Sequence, residues 1–150
     1  MTYSPTRRGP QRAGPAQAYA NIGLETKVLS ASPEQLITLL FDGALAAIAK
    51  ARLYLLNGNI EGRGLAISKA IDIVDSGLKA SLDMEAGGEL ASNLAATYDL
   101  AIRNLLLANL NVDIEKLDLA ARLLGDIGDA WRTTAASGKP NTSKTELFPV

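Results

Sequence analysis

The sequence predicts an all-α protein, an antiparallel up-down four-helix bundle with a short extra N-terminal helical segment. Two observations lead to this fold class. The 150 residues are 47% apolar, and the apolar share is weighted towards Ala and Leu, which favour helices over strands. Four long segments also repeat apolar residues at every third or fourth position, which is the period of an amphipathic helix.

The chain ends are predicted to lie outside the bundle. Residues 1–16 are rich in Pro and Gly and predict a disordered tail, and residues 135–150 predict a flexible one. The first tail carries three arginines and no acid, which we interpret as a solvated leader. Residues 17–134 then form a single helical domain.

Residues 18–31 differ from the tail that precedes them. They include Tyr19, Ile22 and Leu24 and are too apolar for a free tail. The stretch is also too short for a stable isolated helix. We therefore expect it to dock on the bundle or on a partner.

The first two bundle helices have clear boundaries. Ser32-Pro33-Glu34-Gln35 predicts a helix start, with a cap residue, a proline at the first helical position and a capping-box Gln. Asn57-Gly58 predicts its end. The second helix is expected to start near Asn59 and to bury one face, formed by Ile67, Ile71, Val74, Leu78 and Leu82.

The other two helices follow from the same spacing. The third is predicted to begin after Gly87-Gly88, to end at Asn111 and to bury one face, formed by Leu90, Leu94, Tyr98, Ala101, Leu105 and Ala108. Asp113 is a candidate cap for the fourth. Because the loops between the four segments are only a few residues long, successive helices must lie antiparallel.

The predicted helices carry more apolar residues than a bundle core needs. A bundle helix uses about three positions in seven for the core. The third helix adds further apolar residues on most of its circumference: Leu100, Ile102, Leu106, Leu107 and Leu110. Wide core faces would explain any single leucine, whereas the whole set predicts an interface with the N-terminal segment, a second subunit or a foreign helix.

The composition excludes several classes of chemistry. The chain has no Cys and no His, so it lacks thiolate nucleophiles, disulfides, zinc-thiolate sites and the commonest general base and metal ligand. We expect no cofactor, no metal and no catalytic site. Two acid pairs three residues apart, Asp72 with Asp75 and Asp126 with Asp129, are interpreted as solvated surface; a carboxylate enzyme would need such acids to face inward.

The composition also bears on location and partners. No apolar run of about 18 residues exists, which predicts no membrane insertion, and the polar N-terminus lacks a secretory signal. We therefore expect a cytoplasmic protein. Residues 17–134 contain ten Lys/Arg and fifteen Asp/Glu, and this negative balance argues against nucleic acid as a partner.

Several fragments resemble the flagellar secretion chaperone (FliS) family. They occur in order from Ala18 to Arg132, and together they are specific: Ala18–Asn21, Ser30–Ile37, Leu39–Ala44, Gly87–Leu94, Tyr98-Asp99 and Ala130–Arg132. Phe41 stands where the family often has tyrosine, which removes only a hydroxyl. The two tails have no counterpart.

The resemblance implies a non-enzymatic chaperone that binds the C-terminal segment of flagellin, blocks its polymerisation and delivers it to the flagellar type III export apparatus. It also implies that the N-terminal segment covers part of the binding groove when no client is present. The alternative left open by the residues is a homodimeric structural module without a client. We predict that eight residues contact the partner: Tyr19, Ile22, Leu36, Leu40, Leu94, Tyr98, Ile102 and Leu106.

Overall fold

The computed structural model describes residues 31–136, which form four helices joined by short loops. They are α1 (Pro33–Asn57), α2 (Ile60–Asp72, continued by Ile73–Leu78 and Lys79–Ser81), α3 (Met84–Asn111) and α4 (Ile114–Ala136). No strand occurs in this part of the chain, and the predicted all-α class is confirmed. The predicted tails and the N-terminal segment with Tyr19 and Ile22 lie outside the described residues.

The ends of α1 are those predicted from the sequence. The Ser32 hydroxyl accepts a hydrogen bond from the Gln35 amide at 3.2 Å, and the Gln35 side chain accepts one from the Ser32 amide at 2.8 Å. This capping box satisfies two amides that have no partner within the helix. Gly58 ends the helix with a left-handed φ of 75°, which a residue without Cβ adopts at little cost.

The second helix departs from the regular helix that the sequence predicts. Its start is ordinary, because the Asn59 side chain accepts a hydrogen bond from the Gly62 amide at 2.9 Å. Over Ile73–Leu78, however, α2 widens into a π-helix, and a short 3-10 turn follows. Gly77 lies in this wide segment, and a Cβ there would come within 2.9 Å of the Leu40 side chain on α1. The missing side chain therefore allows close contact between α1 and α2.

The third helix begins one turn earlier than predicted and is kinked at Gly88. Asp83 caps the first turn by accepting hydrogen bonds from the Glu85 and Ala86 amides at 3.2 and 2.9 Å. Gly88 then has φ 56° and ψ −132°, which interrupts the helix. Leu90, predicted to face the core, is 46% exposed, and Ala91 is buried beside the kink instead. Counting the helical spacing of apolar residues across Gly87 and Gly88 assumes a straight helix, so the sequence prediction did not detect this change of direction.

Polar contacts define which helices are neighbours. Arg52 of α1 pairs with Asp118 of α4 at 2.8 Å, and Arg63 of α2 donates to Asn109 of α3 at 2.9 Å. The α1–α2 and α3–α4 pairs, which follow each other in the chain, also pack directly. Each helix thus packs against two others, and α1 and α3 lie diagonally opposite. This is the predicted up-down arrangement.

The core is aliphatic, with two aromatic rings near its middle. Phe41 and Tyr98 are fully buried, and their ring centroids lie 6.5 Å apart. A Cβ at Gly128 of α4 would lie 3.2 Å from the Phe41 ring, so this glycine brings α4 close to α1. At the end of α4, the Trp131 ring nitrogen donates to the Thr38 hydroxyl at 3.1 Å. No helix between residues 31 and 136 is long and apolar enough to cross a membrane.

Candidate functional site

Large apolar side chains are exposed mainly at one end of the bundle. This end holds the α1–α2 and α3–α4 loops, and we call it the apolar end. Its exposed residues all lie within about two helical turns of a loop: Leu53, Leu56, Ile60, Leu65, Leu106, Leu110 and Val112. The large apolar residues exposed elsewhere in residues 31–136 are Met84, Leu90 and Leu100. A concentration of apolar surface at one end is typical of a partner-binding site.

One row of residues on α3 runs from the core to the surface. Tyr98 is 0% exposed, Ile102 is half-buried, Leu106 is 55% exposed and Leu110 is 76% exposed. We call this row the α3 stripe. A step of four residues rotates an α-helix by about 40° more than a full turn, so a row with this spacing winds around the helix. The stripe therefore offers a partner an apolar path that starts in the core and opens at the apolar end.

The α3 stripe borders α2. Asp99, next to Tyr98, accepts a hydrogen bond from Lys79 of α2 at 2.8 Å, and this contact raises the pKa of Lys79. Asn109, next to Leu110, accepts from Arg63 Nε at 2.9 Å through its side chain and from Arg63 Nη2 at 3.3 Å through its carbonyl. Polar contacts between α2 and α3 thus accompany both ends of the stripe. Arg63 is buried and lies near the negative end of the α3 dipole, which stabilises its charge.

The six predicted contact residues that the structure describes do not form one surface. Leu40 is 1% exposed and Tyr98 is 0% exposed, so both are core residues that a partner could reach only if the bundle opened. Leu36 and Leu94 are half-buried. Leu36 lies on α1 while Leu94 lies on α3, and these two helices are diagonally opposite. Among the predicted contact residues between positions 31 and 136, only Ile102 and Leu106 lie together at the surface.

Other exposed residues of the apolar end were not among those predicted to contact a partner. Ile60 is 70% exposed and Leu65 is 68% exposed, both in the first two turns of α2. Val112, which ends α3, is 53% exposed. Their sequence signal is weak, since single apolar residues beside a loop are common. The predicted antiparallel order already places both loops at one end, but only the packing shows that these side chains are exposed there.

Tyr98 carries the one buried side-chain polar atom without a hydrogen-bond partner in the described residues. Its hydroxyl lies in the aliphatic core. Burial disfavours the charged phenolate and raises the pKa of Tyr98 well above its usual value. A group held in its neutral form in this way is unsuited to proton transfer near neutral pH.

The acidic residues in the described region are arranged as surface groups. Both pairs considered above, Asp72 with Asp75 and Asp126 with Asp129, are exposed. Between residues 31 and 136, no three acidic side chains are close enough together to hold a metal ion. The candidate functional site in this region is the apolar end, where most of the exposed large apolar side chains lie.

Comparison with known proteins identifies a family. Residues 15–138 match the sequence model of flagellar protein FliS. The chain is 51% identical to the flagellar secretion chaperone FliS of Salmonella typhimurium over 116 residues, which are 77% of this chain and 86% of that protein. It is 46% identical to the protein of the same name from Escherichia coli, over 81% of this chain and 89% of that protein. With the Bacillus subtilis protein of that name the identity is 26%, over 75% of this chain and 83% of that protein.

Proposed function

Because the chain belongs to the flagellar protein FliS family, we propose that it is a flagellar secretion chaperone with flagellin as its client. It binds the C-terminal segment of flagellin in the cytoplasm, prevents premature polymerisation and helps to deliver the subunit to the type III export apparatus. The observation that supports this function most directly is the apolar end with its α3 stripe. The role is non-enzymatic.

The α3 stripe has the form of a helix-binding surface. A guest helix places apolar residues at every third or fourth position and lays them against an apolar groove. Ile102, Leu106 and Leu110 provide apolar surface of this kind. Exposed Ile60 lies one turn before Arg63, whose side chain contacts Asn109 next to Leu110. Burying one exposed leucine contributes about 1.5–3 kcal/mol. Several such contacts are needed, because a client that folds as it binds loses conformational entropy.

A homodimer without a client is the competing function, since a second copy can cover the same leucines. In the first function the flagellin client covers the apolar end, whereas in the second function another copy of the chain covers it. Sedimentation velocity of the purified protein over a range of concentrations separates them: we expect the client-binding protein to remain monomeric where a dimeric module would associate.

The test measures binding of a flagellin C-terminal peptide to the purified chain by titration calorimetry. We expect Leu106→Gln to weaken binding about 10-fold, since it replaces apolar contact surface by a polar amide of similar size. Leu106 is 55% exposed, so the variant should keep its helical content.

Met84→Gln is the matched control. Met84 is 49% exposed, but it starts α3 at the opposite end of the bundle. This variant should bind the peptide like the unsubstituted protein. Equal loss in both variants would show that the apolar end is not the binding surface, and absence of binding by the unsubstituted protein would refute the client altogether.

A further inference from the structure

Val112 has a backbone conformation that valine rarely adopts. It ends α3 with φ 53° and ψ 50°, in the left-handed region. It is the only residue other than glycine with positive φ in residues 31–136. In this conformation the branched side chain crowds its own backbone, which raises the free energy of the folded state.

The turn that follows α1 has the same form as the turn at Val112 but without backbone strain. After α1, Gly58 takes the left-handed position with φ 75°, and the Asn59 amide donates to the Tyr54 carbonyl at 2.9 Å. After α3, Val112 takes that position, and the Asp113 amide donates to the Ala108 carbonyl at 3.0 Å. The hydrogen bonding is equivalent, so the turn itself does not require valine.

Packing in the described residues does not compensate for the strain. The Val112 side chain is 53% exposed and is not part of the buried core. It lies immediately beyond the α3 stripe, where Leu110 is 76% exposed. The Arg63–Asn109 hydrogen bonds also bring the start of α2, with exposed Ile60, beside this end of α3. Strain on an exposed apolar residue at the edge of an apolar surface points to function rather than to stability.

We propose that the strained Val112 is a client-contact residue, and that the client surface continues from the α3 stripe onto the α3–α4 loop. This inference rests on the proposed function. It adds that this loop holds an apolar side chain against the bound segment at a cost in stability of the free protein.

The start of α1 favours an external occupant over the predicted N-terminal helical segment. Ser32 begins α1 and Ala136 ends α4, and both lie at the end of the bundle opposite Val112. The 25 residues of α1 span roughly 37 Å at about 1.5 Å per residue. A 14-residue segment before Ser32 would span only about 21 Å if it were helical, which is shorter than α1, so in that form it would not extend to Val112.

The experiment compares Val112→Asn and Val112→Thr with the unsubstituted full chain. Asn tolerates the left-handed conformation but is polar, so this variant should raise Tm by about 4 °C and bind the flagellin C-terminal peptide about 5-fold more weakly. Thr keeps the branched shape and the strain but replaces one methyl group by a hydroxyl. It should weaken binding without raising Tm.

Each outcome decides the inference. Unchanged peptide affinity in Val112→Asn, while the unsubstituted protein binds, overturns the contact and leaves the proposed function intact. If Val112→Asn binds the peptide more weakly but Val112→Thr does not, the loss of affinity comes from the changed backbone and not from the lost apolar contact. That result would also overturn the inference. So would a change in self-association measured by sedimentation velocity without a change in peptide affinity, since a second copy would then be the occupant. Failure of the unsubstituted protein to bind refutes the proposed function instead.

Discussion

The buried hydroxyl of Tyr98 leads to a prediction about stability. The residue is 0% exposed, and its hydroxyl has no hydrogen-bond partner. An unsatisfied buried hydroxyl costs about 1–3 kcal/mol relative to water. Tyr98→Phe removes this atom and leaves the ring against Phe41. At neutral pH we expect the variant to be more stable by about 1 kcal/mol, at the low end of this range because the oxygen also contributes some dispersion attraction to the core.

The gain should increase at alkaline pH. Burial raises the pKa of folded Tyr98 above the 10.0 of an exposed tyrosine. Above pH 10 the unfolded chain therefore releases the Tyr98 proton while the folded chain retains it, and this favours unfolding. Below pH 10 this proton release does not occur, and the folded chain keeps its full stability. Above pH 10 the titration of Tyr98 lowers the free energy of unfolding by about 1.4 kcal/mol for each pH unit. Phenylalanine does not titrate, so at pH 11 the variant should be more stable by about 2.4 kcal/mol.

Urea unfolding followed by far-UV circular dichroism at both pH values measures these differences. All other titrating groups are common to the two proteins, so their effects largely cancel in the comparison. A variant that is less stable than the original at neutral pH would show that the hydroxyl has a partner. A stability difference that stays constant between the two pH values would show that Tyr98 is accessible to solvent.

Two further predictions concern α4 and α1. Gly125→Ala should stabilise the protein by up to about 1 kcal/mol, because alanine favours the helix and a Cβ there meets nothing within 4 Å. Gly128→Ala should be less stable than Gly125→Ala, because its Cβ would lie 3.2 Å from Phe41. Thermal unfolding compares the two variants, and equal stability would mean that α1 and α4 are less closely packed than the structure shows. Ser32→Ala should lower the free energy of unfolding by about 1 kcal/mol by removing the capping box. Ser68→Ala, at an exposed site within α2, is its control in urea unfolding and should not be destabilised; equal behaviour of the two serine variants would show that the cap contributes nothing.

The local sequence predicted the helix ends correctly where the contacts that form them join residues close together in the chain. The Ser32–Gln35 cap, the Gly58 stop and the Asp113 cap of α4 were all predicted, and Asp113 accepts from the Glu115 amide at 3.0 Å. Such contacts join residues within a few positions of each other, so the sequence contains both partners. The widened part of α2 was not predicted, because its close contact at Gly77 involves a residue of α1.

The sequence by itself determined that this chain forms four antiparallel helices with more apolar surface than their core requires. The tertiary structure decided which residues supply that surface. Tyr98 and Leu106 both belong to the α3 stripe and were both predicted to contact a partner, yet the first is buried and the second is 55% exposed. The rotation of the row relative to α2 and α4 sets this difference, and it depends on where those helices pack. The antiparallel order predicted from the sequence places Ile60 and Val112 at the same end, but their exposure there depends on how the helices pack.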